Sequence, residues 1–446
     1  MFENIIEQGA VLQLKDDILS RRLAPSMLFY GPSESGKGSA ALELARVLSC
    51  ENDASWGCAC PSCEKHRFLQ HADLLILGPR SFAAEISASY SAFLRNPAID
   101  GTKKLFIRSL RKLQIRFSPV LMEDDPKLSK LSSILQSLEE GLSDLWLTNT
   151  AALSGATLEK QCTSLVKTAQ NLIEDGIGAV IPIDHIRRAA YWCRLAPTGK
   201  RKTLIIENAE NMRDEARNSL LKLLEEPPET VNIVLTSQRR EAIMPTILSR
   251  LRPYRFLKRS EHGEKEVIRR VFQDTVKEES LAAGGSIVSA YLDSFLPAGA
   301  EKLYPLAAWF IVSIARAVTS LSKKNGTQTA RIITILGQRY APIANDAGFE
   351  RSVDAAVIVK TLLEKSSNFE NDSISRFFEI CLDMVCAAAR ENDEPEFIVY
   401  RDVFRKRINE TETAVNTLNI SAALALEGLF YSLKNDMIKP YRELYG

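Results

Sequence analysis

The stretch SMLFYGPSESGKGSAALELARVLSC (residues 26–50) changes its hydrophobic period halfway along. Residues 27–30 form a short apolar run that is typical of a buried strand. After a glycine-rich turn, apolar residues recur at helical spacing, at Ala40, Leu44, Ala45, Val47 and Leu48. The sequence therefore predicts a strand, a tight turn and a helix in succession, which is the context that a phosphate-binding loop needs.

The turn itself nearly matches the phosphate-binding pattern G-x-x-x-x-G-K-[ST]. Gly31 and Gly36 permit backbone angles that let successive N–H groups surround a phosphate at a helix N-terminus, and Lys37 supplies a positive charge. The pattern then requires a hydroxyl that ligates Mg²⁺, but Gly38 stands there and the hydroxyl comes one place later, on Ser39. We favour phosphate binding over a tight turn with a chance lysine, while Gly38 weakens the case for hydrolysis.

Four of the eight cysteines crowd directly after this helix, with the spacing C-x₇-C-x-C-x₂-C. Thiolates this close in sequence can converge on one tetrahedral Zn²⁺. The spacing predicts a zinc module over residues 50–63, with the ligands Cys50, Cys58, Cys60 and Cys63. The zinc would be structural, because the segment is too polar to fold on apolar burial alone. A local disulfide, a redox pair, and a three-thiolate site completed by His66 or His71 are the alternatives.

The bulk composition limits the function classes. The chain has 446 residues, enough for two or three domains, and a net charge of +1, so any nucleic-acid contact must come from a local patch. The first residues contain no apolar core run, so we expect no secretory signal there. No run of about eighteen apolar residues predicts a membrane span, and the run broken by Pro305 suits a buried helix. We expect a reducing compartment, with the other four cysteines, Cys162, Cys193, Cys381 and Cys386, in apolar contexts.

A second informative block covers residues 180–256. Residues 203–206 form an apolar strand with Glu207 and Asn208 at its end, where P-loop ATPases carry an acidic pair that holds Mg²⁺ and polarises the attacking water. An amide cannot act as a carboxylate base, so Asn208 is a second departure from a working ATPase. A leucine-rich helix then stops at two prolines, VNIVLTS is another buried strand, and Arg250 follows a helix start at Pro245.

These motifs together resemble the clamp-loader ATPase subunits of the bacterial replicative DNA polymerase. The resemblance rests on FYGPSESGKG (29–38), the cysteine cluster, HADLLIL (71–77), IPIDHIR (181–187), IIENAENM (205–212), NSLLKLLEEPP (218–228), IVLTS (233–237) and PTILSR (245–250). It implies an α/β fold: a RecA-like AAA+ P-loop domain with a parallel sheet over residues 1–256, a helical lid over 257–300, and an all-α collar for oligomerisation over 301–446.

The family includes active ATPase subunits of the gamma/tau type and a delta-prime type that has lost hydrolysis. Gly38, Asn208 and the lack of a sensor-2 arginine motif in 257–300 favour the delta-prime type. By resemblance, Arg250 in Ser249-Arg250-Leu251 is an arginine finger for the neighbouring subunit's ATP, although Leu251 replaces the usual Cys. The candidate nucleotide-binding residues are Gly31, Ser33, Gly36, Lys37, Gly38, Ser39, Glu207 and Thr236, the last at the sensor-1 position.

The resemblance also implies partners and a compartment. A delta-prime type subunit would form a hetero-oligomer with delta and gamma/tau subunits in the cytoplasm, away from membranes, and meet the sliding clamp and primer-template DNA through the assembled ring. It would belong to a DNA polymerase III holoenzyme without an ATPase of its own. Its cofactor would be structural Zn²⁺. Gly38 and Asn208 argue against Mg²⁺ binding. ATP is then a ligand that the chain could bind without hydrolysing it. The alternatives are an active gamma/tau-type ATPase, in which Ser39 or water replaces the lost Mg²⁺ ligand, and a non-hydrolysing nucleotide-sensing regulator.

About a hundred residues (80–178) separate the two matched blocks, far more than an ordinary loop. Three amphipathic stretches predict a helical insertion that projects from the AAA+ domain as a hairpin or small bundle. The first, TKKLFIRSLRKLQIRF (102–117), is basic and could contact DNA phosphates or an acidic partner. We favour a solvated helix whose charges pair with Glu123, Asp124 and Asp125. Residues 257–446 carry no catalytic constellation, and Cys381 and Cys386 are expected in a helical core.

Overall fold

Five parallel strands form the central sheet of the computed structural model: β1 (Ser26–Tyr30), β2 (Leu74–Leu77), β3 (Lys202–Ile206), β4 (Val231–Ser237) and β5 (Arg252–Arg255). The strand order is β2-β3-β4-β1-β5. Successive side chains alternate between two apolar layers, with Met27 and Phe29 in one and Leu28 in the other. A sheet covered on both faces needs apolar residues on both, which explains the nearly continuous apolar runs in β1 and β3. The predicted parallel sheet is confirmed.

The structure describes residues 1–123, 125–149, 155–178, 180–275, 286–296, 300–325, 330–346, 349, 351–365, 371–390, 395–418, 420–440 and 443. The chain divides into two compact units. The first comprises Met1–Lys277 with Ser286–Phe295, and the second Glu278–Gly285 with Leu296–Gly446. The sheet and all the candidate site residues lie in the first unit.

The first unit has thirteen α-helices in the described residues, and two groups of them cover the two faces of the sheet. They are α1 (Gly9–Leu19), α2 (Lys37–Ser49), α3 (Pro61–Arg67), α4 (Ala83–Arg95), α5 (Asp100–Gln114), α6 (Pro119–Met122), α7 (Pro126–Leu147), α8 (Gly155–Gly176), α9 (Ile183–Arg194), α10 (Asp214–Glu225), α11 (Pro245–Leu248), α12 (Glu261–Val271) and α13 (Ile287–Asp293). Helices α1 and α2 pack on the face of the sheet that carries Phe29, and α9, α10 and α11 on the face that carries Leu28.

Helices α4, α5, α7 and α8 occupy the segment 80–178 and share an apolar core that includes Phe93, Phe106, Leu138 and Leu165. From the sequence we expected this segment to project from the sheet domain. Instead, it packs against other parts of the first unit. Leu121 of α6 belongs to the apolar layer on the sheet. Helices α12 and α13 lie against α4, in a cluster that holds Ala88, Ala92, Ile268, Phe272, Val288 and Tyr291. The helical segment is therefore built into the first unit.

The second unit is helical in the residues that the structure describes. Its helices are α14 (Ala300–Asn325), α15 (Arg331–Asp346), α16 (Ala355–Lys365), α17 (Asn371–Arg390), α18 (Pro395–Leu418) and α19 (Ala422–Asp436). Their core contains Phe310, Phe377 and Phe430, and Cys381 is buried within it. The apolar run around Pro305 is a buried helix, as predicted: Pro305 lies inside α14, and Leu306 and Phe310 belong to the core. Leu303–Lys324 is long and apolar enough to cross a membrane, and 72% of its most apolar window is buried within the protein.

Candidate phosphate loop and cysteine cluster

The glycines of the loop take the conformations that the motif predicts. Gly36, at the N-cap of α2, has a φ of 93°, in the left-handed region that favours glycine. Gly31 has a φ of 148°, and a Cβ added there would lie 2.0 Å from the carbonyl oxygen of Phe256. The loop therefore leaves β1 in a path that only glycine allows and enters α2 with its N-terminal N–H groups in place for an anion.

Lys37 folds back onto the loop that precedes it. Its Nζ donates to the carbonyl oxygen of Gly31 at 2.7 Å, to that of Pro32, and to Ser35 Oγ at 3.3 Å. Burial lowers the pKa of Lys37 to about 8, against the opposing influence of Glu34 and other nearby carboxylates. The lysine thus holds the turn, and its charge lies at the centre of the loop.

Glu207 occupies the space beside Gly38, where a working loop carries a hydroxyl side chain. A Cβ added to Gly38 would lie 2.7 Å from Glu207 Oε1. The same carboxylate accepts a hydrogen bond from Arg80 Nη1 at 3.1 Å through Oε1, and another from Arg116 Nη2 through Oε2. Arg80 follows β2 and Arg116 follows α5, so two arginines that the sequence reasoning missed converge on the acid at the end of β3.

A wider ion-pair network surrounds this carboxylate. Arg80 Nη2 also bonds Glu85 Oε2 at 2.6 Å, and Lys112 pairs with the same Glu85. Burial alone would raise the pKa of Glu207, but the positive charges of Arg80, Arg116 and Lys112 outweigh it and lower that pKa. Glu207 is therefore ionised and already neutralised by protein cations. Together with the missing hydroxyl at position 38, this donor set does not fit a Mg²⁺ ion.

Asn208 and Thr236 have structural partners. Asn208 lies in the left-handed region at a φ of 48°, and its backbone N–H donates to Thr236 Oγ1 at 3.2 Å. Its side-chain Nδ2 donates to the carbonyl oxygen of Pro79 at 2.9 Å. The amide thus fixes the turn that carries Arg80, a role that an acid could not fill because a carboxylate has no proton to donate.

Two further loop positions complete the predicted set. Ser33 and Ser39 are exposed. Ser39 lines a cavity of about 200 Å³ together with Trp56, His66 and Arg108, and Glu207 is not part of that lining. Buried Arg259 was missed by the sequence reasoning. Its Nε donates to the carbonyl oxygen of Ile6 at 3.0 Å and its Nη1 to that of Glu34, so it clamps the outer side of the loop.

Arg250 lies well apart from these groups along the chain, just after α11. Its Nη1 donates to the carbonyl oxygen of Thr246 at 2.6 Å, and its Nη2 forms an ion pair of 2.6 Å with Glu225 Oε1 at the end of α10. The side chain is 32% exposed. Leu251, which replaces the cysteine of the family motif, is buried in the apolar layer on the sheet.

The four cysteines of the predicted zinc module converge. Their sulfur atoms all lie within 4.8 Å of one another, and all four residues are buried. Cys50 Sγ is 3.6 Å from Cys58 Sγ and 3.9 Å from Cys60 Sγ. Zinc–sulfur bonds of about 2.3 Å in a tetrahedron would place the sulfur atoms about 3.8 Å apart. The cluster therefore fits a four-thiolate Zn²⁺ site, despite the tight C-x-C spacing.

Hydrogen-bond donors lie beside the sulfur atoms of Cys50 and Cys63, although burial raises the pKa of both thiols, and neither histidine is a member of the cluster. Arg46 Nη1 donates to Cys63 Sγ at 3.0 Å, and the backbone N–H groups of Asn52 and Ala54 each donate to Cys50 Sγ at 3.3 Å. His71 is bound elsewhere, since its Nε2 lies 3.1 Å from Ser62 Oγ and its Nδ1 accepts from the N–H of Asp73. His66 stacks on His71. Neither histidine joins the cluster, and the four cysteines are free rather than disulfide-bonded.

The cations of the basic helix α5 have partners, but not those we expected. Lys104 pairs with Asp100, Arg111 with Glu139, and Lys112 with Glu85. Arg116, just beyond the helix, pairs with Glu207. These acids replace the predicted Glu123 and Asp125, and Asp124 lies outside the described residues. These cations of α5 therefore form ion pairs with acids of the first unit.

The sheet and loop together define a class. A parallel five-stranded sheet with helices on both faces and a glycine-rich turn between β1 and α2 is a P-loop type α/β protein, and it fits the AAA+ fold. The family model described as "DNA polymerase III, delta subunit" matches residues 6–124 and 152–260, just over half of the chain. The chain belongs to this family. The unmatched residues between the two stretches contain α7.

Two other comparisons add little. A solved structure of a DNA polymerase III gamma subunit-related protein from Thermotoga maritima is 14% identical, over 96% of this chain and 99% of that one, with a TM-score of 0.35. Similarity at that level carries no argument about fold or function. Comparison with the curated proteins finds no match. The family membership, and with it a role in the DNA polymerase III clamp loader, therefore rests on the family match.

Proposed function

We propose that this chain is the delta-prime type subunit of a DNA polymerase III clamp loader. It assembles the loader ring with delta and gamma/tau subunits in the cytoplasm and does not hydrolyse ATP itself. Arg250 supplies an arginine finger to the neighbouring subunit's ATP while the ring loads the sliding clamp onto primer-template DNA. The four-cysteine module holds a structural zinc, residues 257–300 act as the lid, and residues 301–446 as the collar.

The observation that carries the loss of hydrolysis is the state of Glu207. Its two carboxylate oxygens are bonded by Arg80 and Arg116, and it lies against Gly38, which offers no hydroxyl. Hydrolysis at a P-loop needs a metal that bridges the outer phosphates. Asn208 stands where a working ATPase has a carboxylate base, and an amide cannot take up a proton from water. This chain's own loop therefore has neither a free metal ligand nor a base that activates water.

The place of Arg250 supports a role outside its own subunit. Its guanidinium is partly exposed and its only carboxylate partner among the described residues is Glu225, in a half-exposed pair. Exposed pairs of this kind contribute about 0–1 kcal/mol. A neighbouring subunit's triphosphate would therefore draw the side chain away from Glu225 at little cost.

Reconstitution of the loader tests the finger. With Arg250→Ala, we expect single-turnover hydrolysis at the neighbouring site to fall about a thousandfold or more, because an arginine finger stabilises charge on the transferred phosphoryl group. Arg187→Ala, which removes an exposed arginine on α9, is the matched control and leaves turnover unchanged. Glu225→Gln keeps the guanidinium and also preserves turnover. Normal hydrolysis with Arg250→Ala would refute the finger.

The isolated chain separates the alternatives. We expect negligible ATPase activity, with and without DNA, and co-elution with delta and gamma/tau subunits in size-exclusion chromatography. DNA-stimulated hydrolysis that Lys37→Ala abolishes would instead establish a gamma/tau-type ATPase. Failure to co-elute with any loader subunit would favour a nucleotide-sensing regulator.

A further inference from the structure

We propose that a cavity of about 200 Å³, bordered by α2, the four-cysteine module (residues 50–63) and α5, is a binding site for a small aromatic carboxylate. Trp56 of the module and Arg108 of α5 are among its lining residues. Of the loop residues 31–39, all of which the structure describes, only Ser39 lines it. The site is therefore separate from the phosphate loop, and the inference does not depend on the proposed function.

Two guanidinium groups at this cavity have no carboxylate partner. Arg67 donates through Nη1 to the carbonyl oxygen of Cys58 at 2.6 Å, and through Nη2 to that of Trp56. Arg108 donates through Nη1 to the carbonyl oxygen of Arg67. Both arginines are half-buried, and among the described residues neither forms an ion pair with an acid. The two positive charges repel each other, so an anion between them would be stabilised.

The other charged side chains of the lining are already neutralised. Arg46 forms a buried ion pair of 2.7 Å with Glu43. Lys104 pairs with Asp100 at 2.5 Å. The cavity therefore has an excess of positive charge, which comes from the two unpaired arginines. A carboxylate is a suitable counter-charge, because its two oxygens match the planar donors of a guanidinium.

His66 adds a hydrogen-bonding group that the protein does not use. The residue lines the cavity and is 3% exposed, and neither ring nitrogen has a partner among the described residues. The ring stacks on His71 with the ring centroids 4.1 Å apart. Burial is the main cause that lowers the pKa of His66 to about 3, so the imidazole is neutral and has one N–H to donate. A buried donor without a partner is unfavourable, and a ligand oxygen beside this ring would satisfy it.

The rest of the lining is apolar and selects the body of the ligand. Leu42, Trp56 and Phe68 line the cavity, and the ring of Trp146 packs against Phe68 at a centroid distance of 4.3 Å. Aromatic rings pack well against such side chains, whereas an inorganic anion gains nothing from them. The volume is below the roughly 300–1,000 Å³ of sites for drug-sized ligands. The lining therefore favours one aromatic ring that carries one carboxylate.

Isothermal titration calorimetry of the full wild-type chain tests the ligand class. We expect 3-phenylpropionate to bind with a Kd of about 1 mM or tighter, which a ligand of this size can reach. The amide of the same acid keeps the shape without the charge, and inorganic phosphate keeps a charge without the ring. Each should bind at least about tenfold more weakly than the acid, because each loses one of the two kinds of contact. This comparison needs no variant to fold.

Variants of α5 test the position of the site. Arg108→Met should weaken binding of 3-phenylpropionate by about tenfold to a hundredfold, the usual effect of losing a charged hydrogen bond. Arg108→Lys should restore part of it. Arg111→Met is the matched control, since Arg111 lies on the same helix, pairs with Glu139 and is not part of the lining. It should bind the acid as wild type does.

ATP in excess should leave the Kd for 3-phenylpropionate unchanged, because the cavity is separate from the phosphate loop. The proposal is overturned if the acid does not bind, if the amide or phosphate binds as tightly, or if ATP competes with the acid. Equal losses with Arg111→Met and Arg108→Met would also overturn it. None of these results bears on the Arg250 test, so this proposal and the proposed function fail separately.

Discussion

Replacement of Cys60 by serine tests the zinc assignment. The wild-type sulfur separations of 3.6 and 3.9 Å lie on either side of the value of about 3.8 Å expected around Zn²⁺, so the site needs little rearrangement to bind it. Cys60→Ser removes one of the four buried thiolates. With free zinc held at about 100 times its Kd, the metal would raise the wild-type free energy of unfolding by about 2.7 kcal/mol, and the variant should lose that gain.

Two measurements decide the matter. Elemental analysis of protein purified without chelators should find one zinc ion per wild-type chain and none in Cys60→Ser. Urea unfolding should show that a chelator destabilises wild type but not the variant. Cys386→Ser, a change outside the cluster at a partly exposed residue, should behave as wild type. A wild-type chain without zinc, or a Cys60→Ser chain with a full complement, would refute the reasoning.

Two further substitutions test the phosphate loop. Gly31→Ala places a Cβ 2.0 Å from the Phe256 carbonyl oxygen at a φ of 148°, so urea denaturation should show a loss of about 2–5 kcal/mol. Gly9→Ala, at the start of α1 with open space around it, should gain about 0.5–1 kcal/mol, and equal effects would contradict the geometry. Lys37→Met removes a lysine whose pKa is lowered to about 8 from 10.5. Between about pH 8 and pH 10.5 the unfolded chain binds more protons at Lys37 than the folded chain does, so the free energy of unfolding of wild type rises with pH. The part of this rise that is due to Lys37 should be absent from Lys37→Met. Identical pH profiles for the two proteins would refute this reasoning.

The features that sequence predicts best here are local. Gly31 and Gly36 fix the loop because their backbone angles are encoded within a strand–turn–helix pattern. The cysteine cluster could be predicted equally well, because fourteen consecutive residues contain all its candidate ligands. The parallel sheet followed from apolar runs that are covered on both faces.

The features that sequence missed depend on contacts across long chain separations. Arg80 and Arg116 meet Glu207 across 127 and 91 residues, and nothing near either arginine indicates that partner. The acids predicted to pair with α5 were chosen by their closeness in sequence, whereas Glu85, Glu139 and Glu207 are brought there by folding.

The burial of the helical segment sets the limits within which this chain can be shortened. Omitting residues 125–151 would remove α7, with its apolar face and the Glu139 partner of Arg111. Omitting 80–178 would remove far more: the counter-charge of Glu207, the layer of the sheet that Leu121 covers, and the surface on which Ile268 and Phe272 rest. A chain without residues 80–178 would need other residues for all three roles. The segment is therefore a structural part of the domain that carries the phosphate loop, although it lies between the two matched blocks of the sequence.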